Sequence, residues 1–213
     1  MGLVKKFASV ALGLAVSATV ASAQVTVNYT TLGNFTGGCS GSSCTVGGMT
    51  LTYTALTNNV IVLDNNNGFF SFLSYGFFTV TGGASTQQSF AGVGFDMTVT
   101  QNMPLAGGPQ VITGPLLGGI DGTSSSLRWN AAPISWSRPA GTGTVDYTLN
   151  TIAMLGVPGV QMQAPTSNAG VTTVQGSVST RPPTVIPEPS TYALMAAGLA
   201  GMFGFARRRR RSA

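Results

Sequence analysis

The chain has 213 residues, of which only 7% are charged, and it contains two cysteines and no histidine. Without histidine it lacks the commonest catalytic base and the usual zinc ligands, so we expect neither a metal nor a cofactor. The formal net charge of +5 comes from two lysines and five arginines at the ends; between residues 24 and 186, three arginines face four aspartates. No nucleic-acid-binding patch is therefore expected.

The first 23 residues have the pattern of a secretory signal peptide. Lys5 and Lys6 precede an apolar stretch over residues 7–20, and small residues lead up to Ala23. A core helix would need polar positions at helical spacing, which this stretch lacks. We expect a signal helix that is cleaved between Ala23 and Gln24, and hence an exported protein.

Residues 24–181 are expected to form one β-domain, since they are rich in Gly, Thr, Ser, Asn and Val. Apolar and polar residues alternate along VTVNYTTL, MTLTYTAL and FDMTVTQ, as in half-buried strands. The predicted strands cover residues 25–32, 49–56, 59–64, 71–81, 95–101, 110–121, 126–130, 133–137, 144–150 and 171–180.

Turn-forming sequences between these strands favour antiparallel pairing. The fold class we predict is all-β, an antiparallel two-layer β-sandwich of jelly-roll type. Residues 150–169 are interpreted as a loop with one short strand at most. Residues 64–68, DNNNG, are interpreted as an Asn-Gly hairpin turn rather than a calcium loop, because a calcium loop needs more carboxylates.

Cys39 and Cys44 are separated by four small residues in GGCSGSSCTVGG. Export exposes them to an oxidising environment, and the glycines allow the chain to turn tightly. A disulfide between them is expected.

Trp129 and Trp136, with Asn130 beside the first, form the densest group of aromatic and hydrogen-bonding side chains. If exposed, they could stack sugar rings and bind their hydroxyl groups, which makes them candidate glycan-binding residues. The alternative is that one or both tryptophans fill the core of the sandwich.

The C-terminus combines three features. Residues 182–190 form a linker with the motif Pro187-Glu188-Pro189, and residues 191–213 form a predicted single transmembrane helix with an arginine-rich tail. The apolar run over residues 192–206 spans about 22 Å as a helix, somewhat less than a hydrocarbon core of about 30 Å. By the positive-inside rule, we expect the tail to remain in the cytoplasm, because it contains Arg207, Arg208, Arg209, Arg210 and Arg211.

In this order, the Pro-Glu-Pro motif, the glycine-containing apolar helix and the terminal arginines resemble the PEP-CTERM sorting signal. The resemblance covers only the last eighth of the chain. It implies recognition by the membrane protease exosortase, a precursor held transiently in the inner membrane, and delivery to the cell surface or extracellular matrix, often alongside exopolysaccharide. It implies nothing about the activity of the body.

Only four carboxylates lie in the body, at strand ends, in turns or on a polar strand face. A glycosidase would need two of them in one cleft. We therefore expect a non-catalytic exported surface or matrix protein. The alternative is a carbohydrate-binding module for exopolysaccharide, and a glycan-active enzyme is less favoured.

Overall fold

Strands with alternating inward and outward side chains build two antiparallel sheets. The computed structural model describes residues 24–64, 67–140, 143–154, 157–180 and 198–199. In chain order its strands are β1 (Gln24–Thr36), β2 (Ser43–Val46), β3 (Met49–Thr54), β4 (Asn59–Asp64), β5 (Phe70–Gly82), β6 (Gln88–Ser89), β7 (Gly94–Met103), β8 (Gln110–Leu117), β9 (Gly119–Ile120), β10 (Arg128–Trp129), β11 (Ser135–Pro139), β12 (Thr144–Leu149), β13 (Ile152–Met154), β14 (Val157–Gln161) and β15 (Val171–Thr180). A short 3₁₀ turn, Asn168–Gly170, precedes β15.

The first sheet has seven strands in the order β13-β14-β10-β8-β7-β1-β4, and the second has six in the order β11-β12-β15-β5-β3-β2. Strands β6 and β9 form a separate small pair. The prediction of an all-β, antiparallel two-layer fold is confirmed. The strand order is more elaborate than that of a jelly roll, because both sheets have additional strands and several consecutive strands pair within one sheet.

The core lies between the sheets, and a cluster of aromatic rings occupies its middle. Phe95 on β7 is its centre: its ring centroid lies 4.8 Å from those of Phe35 and Phe78, 5.0 Å from Tyr53 and 5.1 Å from Trp129. Phe78 and Tyr53 belong to the second sheet, so these contacts join the two layers. Tilted and edge-on rings at these separations have favourable geometry.

One glycine makes this ring contact possible. Gly33 faces the core from β1, and a Cβ atom there would lie 2.2 Å from Cδ1 of Tyr53 and 2.6 Å from Cζ of Phe95. No real side chain tolerates such distances. The missing side chain therefore leaves the space in which the rings of Tyr53 and Phe95 meet.

Hydrogen bonds between polar groups in the core link the two layers. The Tyr53 hydroxyl donates to the carbonyl of Tyr75, and the Tyr147 hydroxyl donates to Oε1 of Gln101 over 2.8 Å. The Gln101 amide donates in turn to the carbonyl of Pro139 over 2.8 Å. Gln101 lies in the first sheet and both of these partners lie in the second, so the network ties the layers together.

The disulfide between Cys39 and Cys44 is confirmed, with a Cα–Cα distance of 5.3 Å. It joins the turn after β1 to the edge strand β2, and Cys44 is buried. The backbone amide of Phe35 also donates to the carbonyl of Gly41 over 2.7 Å, so this turn is fixed by more than the covalent bond.

Two expectations need correction. Residues 64–68 are not a hairpin turn, since β4 pairs with β1 in the first sheet whereas β5 pairs with β3 and β15 in the second. Strands β4 and β5 therefore lie in different layers, and the Asn67 backbone amide donates to Oδ1 of Asp64 over 3.2 Å. Residues 150–169 contain two short strands, β13 and β14, which complete one edge of the first sheet.

The chain divides into two units, Met1–Arg181 and Pro182–Ala213. Gly198 and Leu199 in the second unit are helical. Among the residues that the structure describes, no helix is both long enough and apolar enough to cross a membrane. The predicted signal peptide, the linker and nearly all of the predicted transmembrane helix and tail lie outside the described residues.

Removing the disulfide should lower stability modestly. Because the loop between the cysteines is short, we expect the double variant Cys39→Ala/Cys44→Ala to lose about 2 kcal/mol of unfolding free energy. Denaturant unfolding of the oxidised wild type, the reduced wild type and the variant measures this loss. A reduced wild type as stable as the oxidised protein would contradict it.

Alkaline pH should destabilise the body through its buried tyrosines. Burial raises the pKa of Tyr53 to about 12, whereas an unfolded chain releases this proton near pH 10. The stabilisation that comes from this raised pKa is fully present below pH 10 and is lost as pH rises through 12. Between pH 10 and pH 12, Tyr53 alone should lower the unfolding free energy by about 1.4 kcal/mol per pH unit. Denaturant titrations between pH 9 and pH 12 should show a shallower decline in Tyr53→Phe. Equal slopes in the two proteins would contradict the assignment.

Candidate functional site

The two tryptophans proposed as glycan-binding residues lie in the core. Trp129 on β10 has 0% exposure, contacts Phe95 edge-on and donates from Nε1 to the carbonyl of Phe95 over 3.1 Å. Trp136 on β11 has 9% exposure and stacks on Tyr147 with ring centroids 5.5 Å apart and planes 7° from parallel. Neither ring offers a free face to a sugar, so this interpretation is corrected in favour of the core alternative.

Asn130 does not share the core location of the two tryptophan rings. It is half-buried and lines an open depression of about 560 Å³ over β7 and β8. The other residues of this depression are small and include Gly94, Gly114 and Pro115. No aromatic side chain is among them, so the depression lacks a stacking surface.

The carboxylates of the body are dispersed. Asp96 accepts a hydrogen bond from Thr113 on the outer face of the first sheet, whereas Asp146 accepts one from Ser137 on the outer face of the second. These faces are on opposite sides of the sandwich. Within the described part of the chain, no three His, Cys, Asp or Glu side chains come together as metal ligands would.

Asp121 has a purely local role in the turn after β9. Its carboxylate accepts hydrogen bonds from the hydroxyl of Ser124 and from the backbone amides of Thr123 and Ser124, each over 2.7 Å. These donors hold the pKa of Asp121 well below its usual range. The carboxylate therefore stabilises its own turn.

A different surface carries the most exposed aromatic ring among the described residues. Phe72 on β5 is 73% exposed, and Phe70 lies beside it with ring centroids 5.2 Å apart and planes at 85°. Phe72 borders an open depression of about 480 Å³. An adjoining depression of about 220 Å³ shares Asn150 and Gln175 with it and extends to the exposed Ile152. We call the two depressions together the Phe72 groove.

A β-bulge explains why Phe72 points outward. β15 pairs Val174 with Gly76 and Gln175 with Ser74, which leaves Tyr75 as an extra residue on β5. The alternation of inward and outward side chains reverses at this point. Phe72 and Phe78 are six residues apart and would share a face in a regular strand, but Phe78 points inward and Phe72 outward. Sequence periodicity alone did not single out Phe72. The glycine at position 76, inside an otherwise continuous strand, was the available signal of a bulge.

These features define a protein with an all-β body and a separate C-terminal segment. Residues 185–211 match the family model of the PEP-CTERM protein-sorting motif. The resemblance seen in the sequence is thus confirmed: this is a PEP-CTERM domain-containing protein. No curated protein and no solved structure matches the chain significantly.

The motif implies a sorting route. A chain that carries it is exported, is anchored in the membrane as a precursor and is processed by exosortase, a membrane protein, on its way to the cell surface. The motif covers about an eighth of the chain and lies within the second unit, after the last strand.

The tryptophans should respond differently to replacement by phenylalanine. Both variants lose buried ring area, but only Trp129→Phe loses a hydrogen bond, because Nε1 of Trp136 has no partner among the described residues. We expect Trp129→Phe to cost about 1 kcal/mol more unfolding free energy than Trp136→Phe. Denaturant unfolding of the two matched variants measures the difference, and an equal loss would contradict the assigned role of the Trp129 hydrogen bond.

Proposed function

We propose that the protein is a non-catalytic component of the cell surface or extracellular matrix, and that its C-terminus is a temporary anchor that exosortase removes. The observation that carries this proposal is the complete sorting motif over residues 185–211, outside an all-β body. The export signal over residues 1–23 starts the route, and the tail ends it.

Each part of the tail has a physical task in this proposal. Residues 192–206 halt in the inner membrane as a short helix, and the arginines from Arg207 to Arg211 hold the end of the chain in the cytoplasm. Pro187 and Pro189 prevent helix formation around Glu188, which keeps this stretch extended at the outer surface. An extended segment is the form in which a protease can bind backbone and side chains together.

The arrangement of carboxylates supports a non-catalytic body. Asp96 and Asp146 lie on opposite outer faces, and Asp121 is engaged by its own turn. Acid–base hydrolysis of a glycan requires two carboxyl groups on either side of one bond. A binding or structural role needs no such pair.

The sorting step can be tested with two pairs of matched variants. Glu188→Ala removes the acidic group between the prolines, and Glu188→Asp retains it. Replacing all five terminal arginines with Gln removes the charge that holds the tail in the cytoplasm, whereas replacing them with Lys preserves it. We expect the Ala and Gln variants to accumulate as full-length precursor in the membrane fraction or to be misdirected, and the Lys variant to be processed.

Intact-mass measurement of the surface protein gives the decisive result. The wild-type surface form should lack the arginines and should begin at Gln24. If it retains the arginines, the tail is a permanent anchor and the proposal fails. Processing of Glu188→Ala at the wild-type level would exclude recognition of the glutamate.

A further inference from the structure

We propose that the Phe72 groove binds a segment of neutral polysaccharide. The inference goes beyond the sorting route, because it concerns what the body binds once it has been delivered. It also replaces the tryptophan-based interpretation with a different surface of the sandwich.

The aromatic part of the groove is the pair Phe70 and Phe72 on the outer face of β5. Their edge-on contact fixes the orientation of the Phe72 ring, which remains 73% exposed. A partner that covered this ring would gain binding free energy in proportion to the apolar area removed from water. The CH groups of a sugar ring are a suitable cover, since they carry partial positive charge toward the face of the ring.

The polar part of the groove is the amide pair Asn150 and Gln175. The backbone amide of Asn150 donates to the carbonyl of Gln175 over 2.8 Å, so the backbone holds the two residues side by side. Both side chains are exposed, and neither amide forms a hydrogen bond within the described residues. Each amide offers donors and an acceptor at once, which matches the hydroxyl groups of a sugar, since these also donate and accept.

None of the described lining residues is charged, and the Arg128 side chain lies beside the groove only at Gly159, in the depression that does not include Phe72; its Cδ is 3.7 Å from where a Cβ of Gly159 would stand. Besides Phe72, Asn150 and Gln175, the lining consists of small, aliphatic, hydroxyl and further amide residues, among them Ser74, Thr151, Ile152 and Gln161. A site for an anionic polysaccharide would need Lys or Arg at the lining. The groove therefore favours an uncharged polymer. Both depressions are open to solvent, so a chain can pass through without an end entering a pocket.

A peptide strand is the competing occupant. The ladder between β3 and β5 extends from Gly82 only to Phe77, so the first part of β5 has no partner from β3. A peptide that added to this edge would bind through backbone hydrogen bonds. Such binding would not depend on the side chains of Asn150 and Gln175, which distinguishes it from sugar binding.

The test uses the full chain, purified in a sugar-free detergent, on an array of neutral oligosaccharides from glucans, mannans, galactans and xylans. Alginate and polygalacturonate fragments on the same array provide anionic probes. We expect binding to at least one neutral glycan, insensitive to salt. Phe72→Ala should weaken it about tenfold, the equivalent of one lost ring contact. Phe72→Tyr should retain it.

The amide variants Asn150→Ala and Gln175→Ala should each weaken binding, whereas Leu32→Ala, an exposed aliphatic residue on the first sheet, should not. Circular dichroism confirms that each variant is folded. The proposal is overturned if no neutral glycan binds, if only the anionic fragments bind and salt releases them, or if binding survives Phe72→Ala and both amide changes. Because the assay uses purified protein, its outcome is independent of whether exosortase removes the tail.

Discussion

The contact of Phe95 with rings from both sheets is the interaction on which the rest of the body depends. Four rings surround Phe95 at centroid distances between 4.8 and 5.1 Å, and two of them come from the opposite layer. The strands must alternate so that these rings point inward, and Gly33 must lack a side chain so that they can meet. A body with so few charges thus obtains its cohesion from ring burial rather than from ion pairs.

Burying tyrosine rings also brings their hydroxyl groups into the core. The hydrogen bonds that these groups need restrict how the two sheets can pack. Rings can slide against one another at little cost, but a buried hydroxyl or amide without a partner costs about 1–3 kcal/mol. The links from Tyr147 to Gln101 and from Gln101 to Pro139 are satisfied only when the two sheets stand in one register. Ring burial would permit several relative positions of the two sheets, and the hydrogen bonds favour one of them.

The long strands could be predicted from sequence because alternation is a local property: Val27, Tyr29, Leu51, Tyr53, Phe95 and Met97 all face inward as their patterns indicate. Edges and corners depend on distant partners. Strands β13 and β14 are too short to show the two-residue alternation of a strand. The chain changes layers after Asp64 because β4 pairs with β1 in the first sheet. The outward position of Phe72 depends on the bulge at Tyr75, which strict alternation does not represent. The disulfide and the sorting motif could be predicted because each depends on residues that are close together in the sequence.

The boundary between body and tail explains how one chain can satisfy two different requirements. Among the described residues, the last strand ends at Thr180 and the sorting motif begins at residue 185, so cleavage within the motif would leave every described strand and every described core residue in the body. The two parts also differ in composition, since the motif ends in five consecutive arginines whereas residues 24–181 contain only seven charged side chains. The described core cluster, including the rings around Phe95, is assembled entirely from residues of the first unit.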